Sequence, residues 1–207
     1  MNTNHRVNSV QDLYEDAATL FKNFVVGTEE TSGDTIISNL NRAIEILRGC
    51  WEGKDAGVQI NNIVTVHNGM VSVRNALSLL CNRSSSIASN YREIQNANGA
   101  GLEQLTPVQA EEKTKLPEYT DTRDTINITP QANDGKARLE AANNAIDGFI
   151  AGVRTYYDKI MQNWTAGTGR DDATEAFDSF ISNSQKYKNT LNEVSSSIAT
   201  AVKNYDF

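Results

Sequence analysis

"GCWEGKDAG", residues 49–57, sets a tryptophan in a polar, glycine-flanked break that follows a long apolar-periodic segment. Large aromatic side chains bury most area inside an element, so Trp51 in a break asks for a reason. "QNWTAGTGR", residues 162–170, repeats the arrangement around Trp164, and the chain has only these two tryptophans. The fold follows from what flanks the two breaks.

After the first break, Ile63, Val66, Met70, Val73, Leu77, Leu80, Ser84, Ile87, Tyr91 and Ile94 recur in steps of three and four. Such steps mark the seam of a long helix packed lengthwise on its neighbours. Ile37, Leu40, Ile44 and Leu47 keep the same spacing before the break, and Leu13, Ala17, Leu20 and Phe24 keep it further upstream. "GTEETSGD", 27–34, carries two glycines and several capping residues, so this first helix is predicted in two pieces. In the second half, Leu139, Ala142, Ile146, Phe149, Val153, Tyr156 and Ile160 lead to Trp164. "TAGTGR" then breaks the helix, and Asp171 or Asp172 can cap the next, with Glu175 completing a capping box from Asp172. That helix carries Phe177, Phe180, Ser184, Tyr187, Leu191, Val194, Ile198, Ala201 and Tyr205.

The halves are an internal repeat. The tryptophans lie 113 residues apart, while "SSSIAS" at 84–89 matches "SSSIAT" at 195–200 at an offset of 111. The difference fits post-Trp turns of unequal length. No strand-like alternation is sustained, so the class is all-α: two long αα-hairpins, 1–97 with its turn at 51–57 and 135–207 with its turn at 164–171. Residues 98–134, which hold all three prolines (Pro107, Pro117 and Pro130), join them as a linker. Helices of ~35 residues make a hairpin ~50 Å long. A lone hairpin cannot bury its seam, so the halves are expected to pair as a four-helix bundle within one chain. The linker can span ~120 Å fully extended, enough to return along the bundle. That length favours antiparallel hairpins with their turns at opposite ends.

A net charge of −7 over 207 residues argues against a nucleic-acid binder and against a basic helix on a membrane surface. No apolar run approaches ~20 residues, and "MNTNHRVNSVQDLYED" has no apolar signal-peptide core. Cys50 and Cys81 lack a CxxC spacing and, ~40 Å apart along the hairpin, cannot bridge within it. His5 and His67 are isolated, which leaves no metal set, and "GTGR" at 167–170 lacks the Lys-Ser/Thr of a phosphate loop. No cofactor and no catalytic constellation are expected.

A helix, a Trp-X-Gly turn and a second helix resembles the WXG superfamily of small type VII secretion substrates. Trp51-Glu52-Gly53, followed by Ala56, matches the turn pattern, and Trp164-Thr165-Ala166-Gly167 carries its glycine one residue late. The resemblance covers both hairpins and omits the linker. It implies an antiparallel dimer fused in tandem and export without a cleaved signal. It also implies partners in the secretion machinery or a co-secreted protein, with Trp51, Gly53, Trp164 and Gly167 as the turn and recognition motif. The family's Tyr-X-X-X-Asp/Glu signal has no match here, since Tyr91 is followed four residues later by Gln95. Departure with a partner that carries the signal, or an accessory role inside the cell, would accommodate that. Each Trp is expected either to close a bundle end or to leave part of its indole exposed for recognition. The leading expectation is a non-enzymatic binding protein. A cytoplasmic adaptor and a secreted membrane-perturbing effector are the alternatives.

Overall fold

The computed structural model describes residues 7–165 and 168–205; His5 and Gly167 lie outside the described residues. Helix α1, Val10–Leu20, is capped by Ser9 and continues as a turn of π-helix over Phe21–Val25. A loop leads to α2, Gly33–Cys50, which Ser32 caps by accepting a hydrogen bond from the Thr35 N–H at 3.2 Å. The first helix is therefore in two pieces, broken where its glycines and capping residues fall. A short strand β1, Trp51–Glu52, precedes α3, Lys54–Ala97. Strand β2, Asn127–Ile128, precedes α4, Ala132–Asn163, and α5 is Thr168–Asn204. Helix α5 thus begins before Asp171 and Asp172, and the expected capping box does not form. Asp171 instead stands in the first turn, where a carboxylate complements the positive end of the helix dipole.

The helices form an antiparallel bundle in which α1/α2, α3, α5 and α4 follow one another around a ring. Within the first hairpin the buried Arg74 of α3 reaches Asp34 of α2 at 2.8 Å. Within the second, Asn143 Nδ2 donates to Asn192 Oδ1 at 2.7 Å, and Phe149 meets Phe180 edge-on at 5.7 Å between centroids. Between hairpins, α4 runs against α2 and α1, so Gly135 abuts Leu47, Gly148 abuts Thr31 and Gly152 abuts the ring of Phe24. Gly69 of α3 takes the phenol of Tyr187 from α5 in the same way. The two Trp turns consequently lie at opposite ends. Among the described residues no helix is long and apolar enough to cross a membrane.

The seams form the core. Ile63, Val66, Met70, Val73, Leu77 and Leu80 are buried, as are Phe177, Phe180, Leu191, Val194 and Ile198, whereas Ile87 and Tyr187 are only half-buried. The first seam ends before Ile94, which is 59% exposed, and in α4 the buried ring is Tyr157 rather than Tyr156. Helix α3 also buries a second row that the apolar count does not predict. It runs through Ile60, Val64, His67, Val71, Arg74, Ser78, Cys81, Ser85, Ala88 and Arg92, again in steps of three and four.

A third face of α3 holds the linker, which is a strap laid along the full helix. Asn61, Asn68, Asn75, Asn82, Ser89 and Asn96 stand at every seventh position. Four of these asparagines clamp one strap residue each through both main-chain groups, the side-chain amide donating to its C=O and the side-chain oxygen accepting from its N–H. Asn61 holds Tyr119, Asn68 holds Leu116, Asn75 holds Lys113 and Asn96 holds Leu102, at 2.6–2.9 Å. Asn82 and Ser89 donate to the carbonyls of Val108 and Leu105, at 2.7 Å each. Seven helical residues rise ~10.5 Å, and three extended residues rise ~9–10 Å. One rung per heptad therefore meets every third strap residue, except between Val108 and Lys113, where a step of five makes up the accumulated shortfall in length. Asn61 to Asn96 spans ~52 Å, and Leu102 to Tyr119 spans ~53 Å at the polyproline rise.

Candidate functional site at the tryptophan turns

Both tryptophans end their helices in extended conformation, at φ −133°, ψ 122° for Trp51 and φ −122°, ψ 109° for Trp164. Each then pairs antiparallel with the residue leading into the other hairpin's first helix. Trp51 pairs with Ile128, ahead of α4, and Trp164 pairs with Val7, ahead of α1. The next residue repeats the correspondence: Thr129 N–H donates to Cys50 C=O at 3.0 Å, and Asn8 N–H donates to Asn163 C=O at 3.2 Å. The two ends are thus quasi-equivalent, related as the ends of a two-fold dimer are.

This pairing explains an aromatic in a break. A helix end leaves backbone groups unpaired, and the bridge to the incoming segment occupies them. Trp51 is 3% exposed and Trp164 2%. The expectation that part of each indole stays open for recognition is therefore not met: both are buried where Ile128 and Val7 pair with the tryptophan main chains.

Gly53 caps α3 at φ +114°, ψ 171°, a conformation essentially restricted to glycine, and a Cβ there would lie 2.6 Å from the Thr125 carbonyl oxygen. Its N–H donates to Asp121 Oδ2 at 2.9 Å. The Asp121 carboxylate is clamped by Arg123, with Nε at 2.9 Å and Nη2 at 2.6 Å, and by the Arg123 N–H at 3.0 Å. The Arg123 guanidinium bonds, followed by those main-chain N–H groups, hold the Asp121 carboxyl well below the usual carboxylate range. Arg123 also reaches Glu52 at 2.7 Å, and Lys54 pairs with Asp124. The turn is thereby locked to the end of the strap. None of these strap residues is picked out by apolar spacing; the only trace in sequence is an Asp-Thr-Arg run after Tyr119.

Beside the Trp51 turn a groove of about 500 Å³ opens between the start of α3 and the end of α5, lined by Asp55, Gln59, Ile126, Thr200, Asn204 and Tyr205 among others. Ile126 on this rim is 50% exposed and the nearby Val58 57% exposed. Gln59, one of the lining residues, has its Oε1 buried without a hydrogen-bond partner. The groove can receive a ligand that offers some apolar surface.

The titratable core groups lie elsewhere. His67 is fully buried; its Nδ1 sits 3.0 Å from Asn68 Oδ1, and its Nε2 has no partner. Burial pushes its pKa down. Cys50 and Cys81 are free and buried, and burial raises both thiols. Among the described residues no three His, Cys, Asp or Glu side chains converge as a metal set. No family model, curated protein or solved structure matches the chain.

Proposed function

We propose that the chain is a non-enzymatic binding protein resembling a tandem WXG-type substrate or partner of a type VII secretion system, in which one chain replaces a hairpin dimer. The observation that carries this reading is the quasi-two-fold exchange at the ends. Each Trp of a helix–turn–helix unit bridges the entry segment of the other unit, the relation expected of paired hairpins. In this reading the chain presents its turn and end surfaces, including the groove beside Trp51, to secretion machinery or to a co-secreted protein. Export is tested by comparing culture supernatants of a strain with an intact type VII secretion ATPase and one lacking it. Appearance of the chain only with the intact ATPase supports export, and retention in cells under both conditions rejects it.

A second reading, a helical adaptor that stays in the cell, is favoured by the burial of both indoles, since each Trp is then fully used in packing. Its signature is a stable cytosolic complex recovered with the ATPase deleted.

A further inference from the structure

The sequence holds two Asn-Gly pairs, Asn68-Gly69 and Asn98-Gly99. Such a pair is open to self-modification, because glycine has no side chain to shield its N–H from the preceding carboxamide. Once deprotonated, that nitrogen attacks the carboxamide carbon, and a five-membered succinimide forms. The fold treats the two pairs oppositely.

Asn68 stands in the middle of α3 as a rung of the ladder. Its Nδ2 donates to the Leu116 C=O at 2.9 Å, and its Oδ1 accepts from the Leu116 N–H at 2.8 Å. Gly69 lies inside the same helix and against the phenol of Tyr187. Attack there requires helix and strap to open together. Asn98 is instead the C-cap of α3, and both it and Gly99 are exposed. Gly99 takes φ +90°, with nothing within 4 Å of a Cβ built there. Its N–H donates to the Asn96 C=O at 2.9 Å, and the Ala100 N–H donates to the Gln95 C=O at 3.1 Å. These two bonds form a Schellman cap. Opening them frees the Gly99 N–H and lets Asn98 leave its ψ of 11°, and a fraying helix end opens at little cost. The cap also borders the first rung, for Asn96 clamps Leu102 at 2.8 and 2.7 Å.

We propose that Asn98 is a self-modification site whose conversion breaks the cap of α3 and releases the strap's first rung, a one-way timer on the strap. The Gly99 nitrogen gives its proton to hydroxide and bonds to Asn98 Cγ. The Cγ–Nδ2 bond breaks, and the amide nitrogen takes a proton from water and leaves as ammonia. Water then opens the succinimide at either carbonyl. Opening at Cγ leaves an aspartyl residue. Opening at the main-chain carbonyl leaves an isoaspartyl link, with the chain routed through Cβ. The added methylene prevents the two cap bonds from closing together, and either product sets a carboxylate at the negative end of the α3 dipole.

The test incubates the full chain at mildly alkaline pH, once folded and once in denaturant. Conversion is followed by mass spectrometry of proteolytic peptides, with heavy-oxygen water marking each opened imide. In the folded chain Asn98 should convert at least tenfold faster than Asn68. In denaturant the two rates should agree within threefold, because the same dipeptide is then equally free at both places. After conversion the Leu102 amide should exchange at least tenfold faster than in fresh protein, while amides in the α4 core keep their protection. Asn98→Gln, aged alike, should keep the Leu102 exchange of fresh protein. Equal conversion at Asn68 and Asn98 in the folded chain, or none at Asn98, overturns the proposal. A tenfold preference for Asn98 that persists in denaturant also overturns it, because sequence rather than fold would then set the rate. Unchanged Leu102 exchange after conversion overturns the timer.

Discussion

Gly53 shows how much one backbone angle decides. Gly53→Ala forces a side chain into a glycine-only conformation and against a carbonyl oxygen, so thermal or urea unfolding should reveal a loss of about 2 kcal/mol or more. The tryptophans should matter more. Truncating either Trp51 or Trp164 to Ala should cost about 3–5 kcal/mol, and the two losses should be similar because the ends are quasi-equivalent. His67 predicts a pH effect. Its folded pKa lies below the ordinary 6.5, so in the window below 6.5 the unfolded chain binds the proton more readily, and stability falls as pH drops through it. Asp121, also depressed in the fold, contributes its own acid-side loss only near and below its ordinary 3.8. Urea midpoints between pH 7 and 5 should therefore flatten in His67→Gln, while the decline below pH 4 persists. At this scale the sequence was legible where apolar residues keep step. It was opaque at His67, Arg74 and Arg92, polar residues that a reading of apolar spacing passes over although the second row of α3 buries them.

Helix α3 carries three working faces: one seam, a mixed row and the asparagine ladder. The first was readable because Ile, Val, Met and Leu keep the three-four step. The ladder is equally regular but polar, and its partner, residues 98–131, shows no apolar period because main-chain hydrogen bonds hold it. The stretch therefore read as a linker, a reading silent on its conformation. Two rungs dominate the middle of the strap. Asn68→Ala with Asn75→Ala removes four hydrogen bonds to the strap, each worth about 0.5–1.5 kcal/mol. Hydrogen exchange of the Lys113 and Leu116 amides should accelerate tenfold or more, while amides in the α4 core stay protected. Equal acceleration throughout the bundle would mean that the rungs support the fold as a whole rather than the strap.

At the scale of the molecule, the pairing of hairpins followed from arithmetic available in the sequence: two seams, each needing a partner, and a connection long enough to return. The end bridges were not legible, because Val7 and Ile128 become partners only once the bundle closes. The core crosses between the halves throughout, so the connection should be dispensable for association. A protease site inserted at Ala100, cut after folding, should leave two fragments that elute together at the size of the intact chain and part only in denaturant.

The strap lies on one of two quasi-equivalent helix faces, and that asymmetry sets a count. A true hairpin dimer offers every surface twice, so its complexes tend toward two partners per dimer. Here one chain supplies both hairpins, so each end has its own sequence, and the strap marks α3 while α5 carries none. A partner that read either feature would find one copy of it, and such a complex would close at one to one.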